Sequence, residues 1–142
     1  MIVVVDASVA LKWFFQSRHD EPDCDLASAI LNAVDEDRIQ LFQPPHFVAE
    51  VAAVLAREKP DEAHDDLFDL LNVECSIVEA PEIYAAAMDL SIRFQHHLFD
   101  TLYHAVALTT ANAVLVTADR RYYDKASSLG RIAWLPEFKL TP

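Results

Sequence analysis

A chain of 142 residues, 53% of them apolar, has material for one domain, residues 1–142, with a layered core and little left for a second. Its formal net charge of −12 argues against a surface built to coat nucleic acid, which would be basic, and agrees with a basic protein partner. A single glycine, Gly130, cannot supply a P-loop or a dinucleotide fingerprint, which argues against nucleotide-driven and NAD-dependent chemistry.

Residues 2–5 are a short β-branched run ending in Asp6 and read as a buried strand. Ser8 can cap the helix that follows, which carries Val9, Leu11, Trp13 and Phe14. Residues 17–23 are a polar loop with Pro22, after which Leu26, Ala27, Ile30, Leu31 and Val34 recur at helical spacing. Ile39, Leu41 and Phe42 form a second strand, stopped by Pro44-Pro45. A helix over about His46–Lys59 follows, then one begun by Pro60, a short strand within 74–79, and an Ala-rich helix from Pro81 to about Phe94. Asp100 opens a helix through Ala111; Val114–Thr117 is the clearest internal strand. A helix over Arg120–Leu129 is closed by Gly130, and Arg131–Leu135 is a last strand. Strands alternating with helices predict an α/β domain with a central parallel sheet of four to five strands flanked by helices.

Ligands of such sheets bind beyond the carboxyl ends of the strands, and Asp6 and Asp119 sit just past two strand ends. Asp100 stands at a helix start. Each of these three acids has a plain alternative as a helix cap. Glu50 does not: it lies near the apolar face of its helix, with no Arg or Lys one turn away and Arg57 seven residues on. A shared cluster without a neutralising base accounts for all four, and clustered carboxylates need protons or a divalent metal. A carboxylate-held metal at a sheet edge points to phosphodiester cleavage.

The segments Val3-Val4-Val5-Asp6-Ala7-Ser8-Val9-Ala10-Leu11, Glu50 on its apolar helix, Phe99-Asp100-Thr101-Leu102-Tyr103-His104-Ala105, and Leu115-Val116-Thr117-Ala118-Asp119-Arg120-Arg121 together resemble a PIN domain. The likeness is strongest to the VapC toxins of toxin–antitoxin pairs and covers nearly the whole chain. Thr101 stands where alanine or serine is commoner. The resemblance implies a single PIN-like domain and a Mg²⁺- or Mn²⁺-dependent endoribonuclease. The target implied is structured RNA, most often tRNA. A cognate antitoxin would cross the acidic pocket with a basic residue, and homodimers are typical. Asp6, Glu50, Asp100 and Asp119 match the family's acidic positions. Asp6, Asp100 and Asp119 are then expected to hold a first metal, with Glu50 completing a second site or orienting the attacking water. Ser8 and Thr117 match small hydroxyl positions near the metal, where they would hydrogen-bond a carboxylate or serve only as cap and strand end.

Arg120, Arg121 and Lys125, with Lys12 on the first helix, are the cations placed to grip RNA phosphates, or a solvated basic face. Trp13, Phe14 and Phe15 could stack bases but read better as core. His96 and His97 have no third partner at a zinc spacing and read as a polar loop; His104 reads as a hydrogen-bonded histidine at the core edge. Two other functions stay open. One is a binding module with the same fold and no catalysis; the other is a different carboxylate-metal phosphohydrolase or phosphotransfer enzyme. The latter commonly carries Asp-x-Asp after its first strand, and Asp6-Ala7-Ser8 lacks the second acid. The helices spanning 46–71 are the candidate dimer surface. No membrane span is expected; the start lacks the basic region of a signal peptide, and Cys24 and Cys75 read as unpaired core thiols of a reducing, cytoplasmic compartment.

Overall fold

The computed structural model describes residues 1–141. Five strands, β1 (Ile2–Val5), β2 (Gln40–Gln43), β3 (Cys75–Ile77), β4 (Ala113–Thr117) and β5 (Ile132–Trp134), form one wholly parallel sheet in the order β3-β2-β1-β4-β5. Val3, Val4, Val5, Leu115 and Val116 are essentially without solvent contact, as a parallel sheet covered on both faces demands. The connections after β1 and β2 lead outward on one side and the connection after β4 on the other. The direction of winding therefore reverses between β1 and β4, and a crevice opens beyond their carboxyl ends. This places the functional site.

Seven α-helices flank the sheet among the described residues: α1 (Ala7–Ala10), α2 (Cys24–Asp35), α3 (Phe47–Glu58), α4 (Ala63–Leu71), α5 (Pro81–Phe94), α6 (Leu98–Thr109) and α7 (Arg120–Ala126). None is long and apolar enough to cross a membrane. The first predicted helix is a single turn that tightens into a 3-10 turn at Leu11–Trp13, and the last ends in another at Ser127–Leu129 before Gly130. Gly130 sits at φ 75° and ψ −173°, a conformation that side chains with a Cβ resist. The α6 helix starts at Leu98, so Asp100 occupies its first turn rather than opening it. Trp13 and Phe15 are buried, and the Trp13 indole N–H donates to the Ala27 carbonyl at 2.9 Å, so these rings belong to the core. Cys24 and Cys75 are free and half-buried.

One polar side chain secures the end of β1 just before Asp6. The β1–β2 ladder pairs Ile2 with Gln40 and Val3 with Leu41. Past that point the fully buried Gln43 takes over with its side chain. Its Oε1 accepts from Val5 N–H at 2.9 Å and its Nε2 donates to Val5 C=O at 2.7 Å. The backbone just before Asp6 is thus satisfied by an amide where the strands part. Gln43→Leu should lower the unfolding free energy by about 2 kcal/mol, because two backbone groups would be left without partners; a urea melt within a few tenths of wild type would show that water replaces the amide.

Candidate active site

Asp6 leaves β1 in extended backbone and caps α1 itself: its Oδ1 accepts from Val9 N–H at 3.3 Å. Ser8, expected to cap this helix, lies inside it and instead donates its hydroxyl to Asp6 Oδ1. Thr117, at the end of the neighbouring β4, donates its hydroxyl to Asp6 Oδ2. The same two oxygens accept from the next turn, Ser8 Oγ from Ala118 N–H and Thr117 Oγ1 from Asp119 N–H, both at 3.0 Å. The two small hydroxyls therefore tie the ends of β1 and β4 together through one carboxylate. That carboxylate is only 8% exposed, and burial pushes its pKa up from 3.8 to about 7 despite the three hydrogen bonds.

Asp100, on α6 across the crevice, is the hub of the remaining acids. Burial raises its pKa, the charge of Glu50 raises it further and that of Asp119 adds to this, while His96 works against them. Asp100 in turn raises Asp6. Asp119 caps α7, accepting from Tyr122 N–H at 3.2 Å through Oδ1 and leaving Oδ2 facing the crevice. The structure thus brings Asp6, Glu50, Asp100 and Asp119 into one electrostatic cluster.

Bases do stand beside the cluster, contrary to the expectation of none. His46, four residues before Glu50, places Nε2 3.4 Å from Glu50 Oε2; the proton on that nitrogen goes to the Phe99 carbonyl at 2.8 Å. His96, four residues before Asp100, lies 3.0 Å from Asp100 Oδ2 and 3.8 Å from Asp119 Oδ2. Both are histidines, not the Arg or Lys expected of a counter-charge. The repeated spacing His46…Glu50 and His96…Asp100 was the signal available. His104 is fully buried, bonded to the Tyr122 hydroxyl at 2.8 Å and the Gly130 carbonyl at 3.0 Å, and burial lowers its pKa; it is a structural link.

Two buried oxygens in the cluster lack a well-formed hydrogen bond: Glu50 Oε2 and the hydroxyl of the fully buried Tyr103, which lies beside Glu50 and feels its charge together with those of Asp6 and Asp100. Such hard oxygens among crowded carboxylates fit a Mg²⁺- or Mn²⁺-type ion, which takes oxygen ligands and waters. His96, Asp100 and Asp119 also offer ligand atoms within 4.8 Å of one another.

The cations divide. Lys12 is 4% exposed, its ammonium held by Glu21 at 2.8 Å and the Pro22 carbonyl at 2.7 Å, so the surface phosphate contact expected of it is corrected to an internal tie across the 17–23 loop. Lys125 Nζ reaches inward to His96 Nδ1 at 3.2 Å. Arg120 pairs with Asp124 at 2.8 Å and lies over the Trp134 ring at 4.4 Å, while Arg121 is exposed. An open groove of about 520 Å³, lined by Trp13, Leu31, Lys59, Asp66 and Val73, includes none of Asp6, Glu50, Asp100 and Asp119.

The sequence model of the PIN domain matches residues 3–127. No curated protein sequence matches the chain. Among the solved structures that share the fold, at low identity, are three VapBC or VapC structures. VapBC2 from Rickettsia felis, bound to a DNA fragment from its promoter, superposes with a TM-score of 0.65 at 14% identity, covering 94% of this chain and 97% of that one. VapBC-1 from nontypeable Haemophilus influenzae gives 0.64 at 13%, covering 94% and 96%. VapC20 of Mycobacterium tuberculosis, a toxin that cleaves the sarcin-ricin loop, gives 0.62 at 13%, covering 86% and 94%.

Proposed function

The chain belongs to the PIN domain family, and on that premise we propose that it is a metal-dependent endoribonuclease, the toxin of a type II toxin–antitoxin pair. The observation that carries this reading is the convergence of four carboxylates from four separate segments at the point where the sheet's winding reverses. Asp6, Asp100 and Asp119, with Glu50, would hold Mg²⁺ or Mn²⁺. When bound, the ion supplies Lewis-acid polarisation of the phosphate and a more acidic attacking water. The protein's own part is to keep the acids in place. Ser8 and Thr117 orient Asp6, and His96 orients Asp100. Glu50, whose charge reaches Asp100, would complete a second site or orient the attacking water.

The VapC20 precedent supports structured RNA as substrate, tRNA being the family expectation. The two complexes named VapBC support an antitoxin partner, and the net charge of −12 suits a basic tail entering the site. Homodimerisation is supported by Phe68 and Leu71, exposed on α4 within the helical stretch 46–71. Tyr84, Met88 and Ile92 add an apolar stripe along α5. A cytoplasmic site of action follows from an RNA target.

Arg121 remains the cation free to meet a phosphate. Arg121→Ala should weaken RNA binding uniformly across sequences and reduce the salt slope by about one, as loss of a single phosphate contact does; an unchanged slope removes Arg121 from the interface. The function itself is tested by expressing the chain alone in a bacterial host and mapping new RNA ends, with purified protein assayed in Mg²⁺, Mn²⁺ and EDTA. Discrete metal-dependent ends are expected. An inert product that still binds RNA would favour the non-catalytic module.

A further inference from the structure

His96 touches two of the acids and one lysine, and the three contacts do not permit every protonation state. Lys125 Nζ lies 3.2 Å from His96 Nδ1. An ammonium has only protons to offer, so Nδ1 must present its lone pair. The ring proton then sits on Nε2 and is donated to Asp100 Oδ2 at 3.0 Å.

The rest of the residue is equally constrained. Gln95, in the left-handed conformation at φ 49°, closes α5 and turns the chain towards α6. His96 N–H donates to the Ser91 carbonyl at 3.2 Å, and Ser91 Oγ donates to the His96 carbonyl at 2.6 Å. The ring stands edge-on to Tyr122 with centroids 4.9 Å apart, and the side chain is 8% exposed. A loop histidine held at backbone, ring face and both nitrogens is a built feature rather than a solvated polar residue.

Two roles compete for it. The spacing of His96, Asp100 and Asp119 would let all three share an ion. A ligating Nε2, however, needs its lone pair, with the proton on Nδ1 donated to an acceptor. Lys125 occupies that place and accepts nothing. We propose that Lys125 fixes His96 as the Nε2–H tautomer, making His96 a positioning residue that orients the Asp100 carboxylate instead of a metal ligand. Lys125 accordingly serves the interior of the site and not the RNA backbone. The purpose of this arrangement rests on the nuclease reading; its geometry does not.

The test is a long-range ¹H–¹⁵N correlation spectrum of metal-free protein labelled in its histidines, with His96 assigned by the signal lost in His96→Gln. Wild type should show a protonated Nε2 and a bare Nδ1, unchanged by added Mg²⁺. Lys125→Met should weaken that preference, leaving only the bond to Asp100 to hold the proton on Nε2, and a spectrum identical to wild type would show that Lys125 does not fix the tautomer. A proton on Nδ1 in wild type, or an Nε2 that loses its proton when Mg²⁺ is added, would overturn the proposal. Mn²⁺ affinity, read from the EPR signal of the free ion, gives a second arm. His96→Gln, which retains an N–H near the Nε2 position, should stay within about twofold of wild type, while His96→Leu should lose about tenfold, the usual cost of removing a partner of a ligand. Equal losses in both would show that donation to Asp100 is not what matters. A chain inert towards RNA would still give the tautomer spectrum, so failure of the activity and failure of this inference are separately visible.

Discussion

Asp100→Asn should reduce RNA cleavage by about a hundredfold or more, the scale of removing one group that stabilises developing charge, and should not lower the melting temperature. Both halves follow from the position of Asp100 at the centre of the cluster. Burial and the charges of Glu50 and Asp119 hold its pKa up, so its ionised form is under strain in the metal-free protein. Asparagine keeps the shape and still accepts from His96 Nε2–H, which is 3.0 Å from Asp100 Oδ2. What it removes is the charge, the property an ion needs and the empty fold resists. Lost cleavage with an unchanged or higher melting temperature is therefore the expected pair, along with relief of growth arrest in the expressing host. Full cleavage by the variant would refute the assignment, and a fall in melting temperature would mark Asp100 as a structural residue.

The middle of the sheet was legible because two of its strands are short runs rich in β-branched residues: Ile2–Val5 is the central strand and Ala113–Thr117 its neighbour, and their ends locate Asp6 and Asp119 directly. The position of Glu50 near an apolar helix face was legible for the same periodic reason. What escaped depends on contacts between distant segments. Lys12 looks like a surface cation on a helix, and only the fold of the 17–23 loop brings Glu21 and Pro22 over it. Gln43 looks like a polar strand end, yet it repairs the sheet where β1 and β2 diverge. Asp6 and Ser8 are both good capping residues two positions apart. The choice between them was made by the extended backbone at Asp6, φ −83° and ψ 175°, which frees Ser8 to act on the carboxylate. His96 showed only its four-residue spacing to Asp100; its contacts with Asp119 and Lys125, from the end of β4 and from α7, are a geometry no local pattern encodes.

Those same contacts make stability a reporter of the site. The Asp6 carboxyl titrates near 7 in the folded protein, against an ordinary value of 3.8. Between about pH 4 and pH 7 the folded state therefore holds a proton that the unfolded chain has released. Stability contributed by this group is full below pH 4, falls as pH rises through that window, and levels off above 7. Three pH units at about 1.4 kcal/mol each make the loss roughly 4 kcal/mol. Asp6→Asn removes the ionisation while keeping an N-cap acceptor for Val9 N–H. In EDTA, the variant should gain on wild type steadily from pH 5 to pH 7 and keep a constant lead above it. Saturating Mn²⁺ should close most of that gap by binding the ionised wild-type site and not the unfolded chain. Urea melts of both proteins at pH 5, 6, 7 and 8, with and without metal, measure this. Curves that run parallel in EDTA would show that Asp6 ionises freely in the folded protein. A gap unaffected by Mn²⁺ would show that the crowded carboxylates are not where the ion goes.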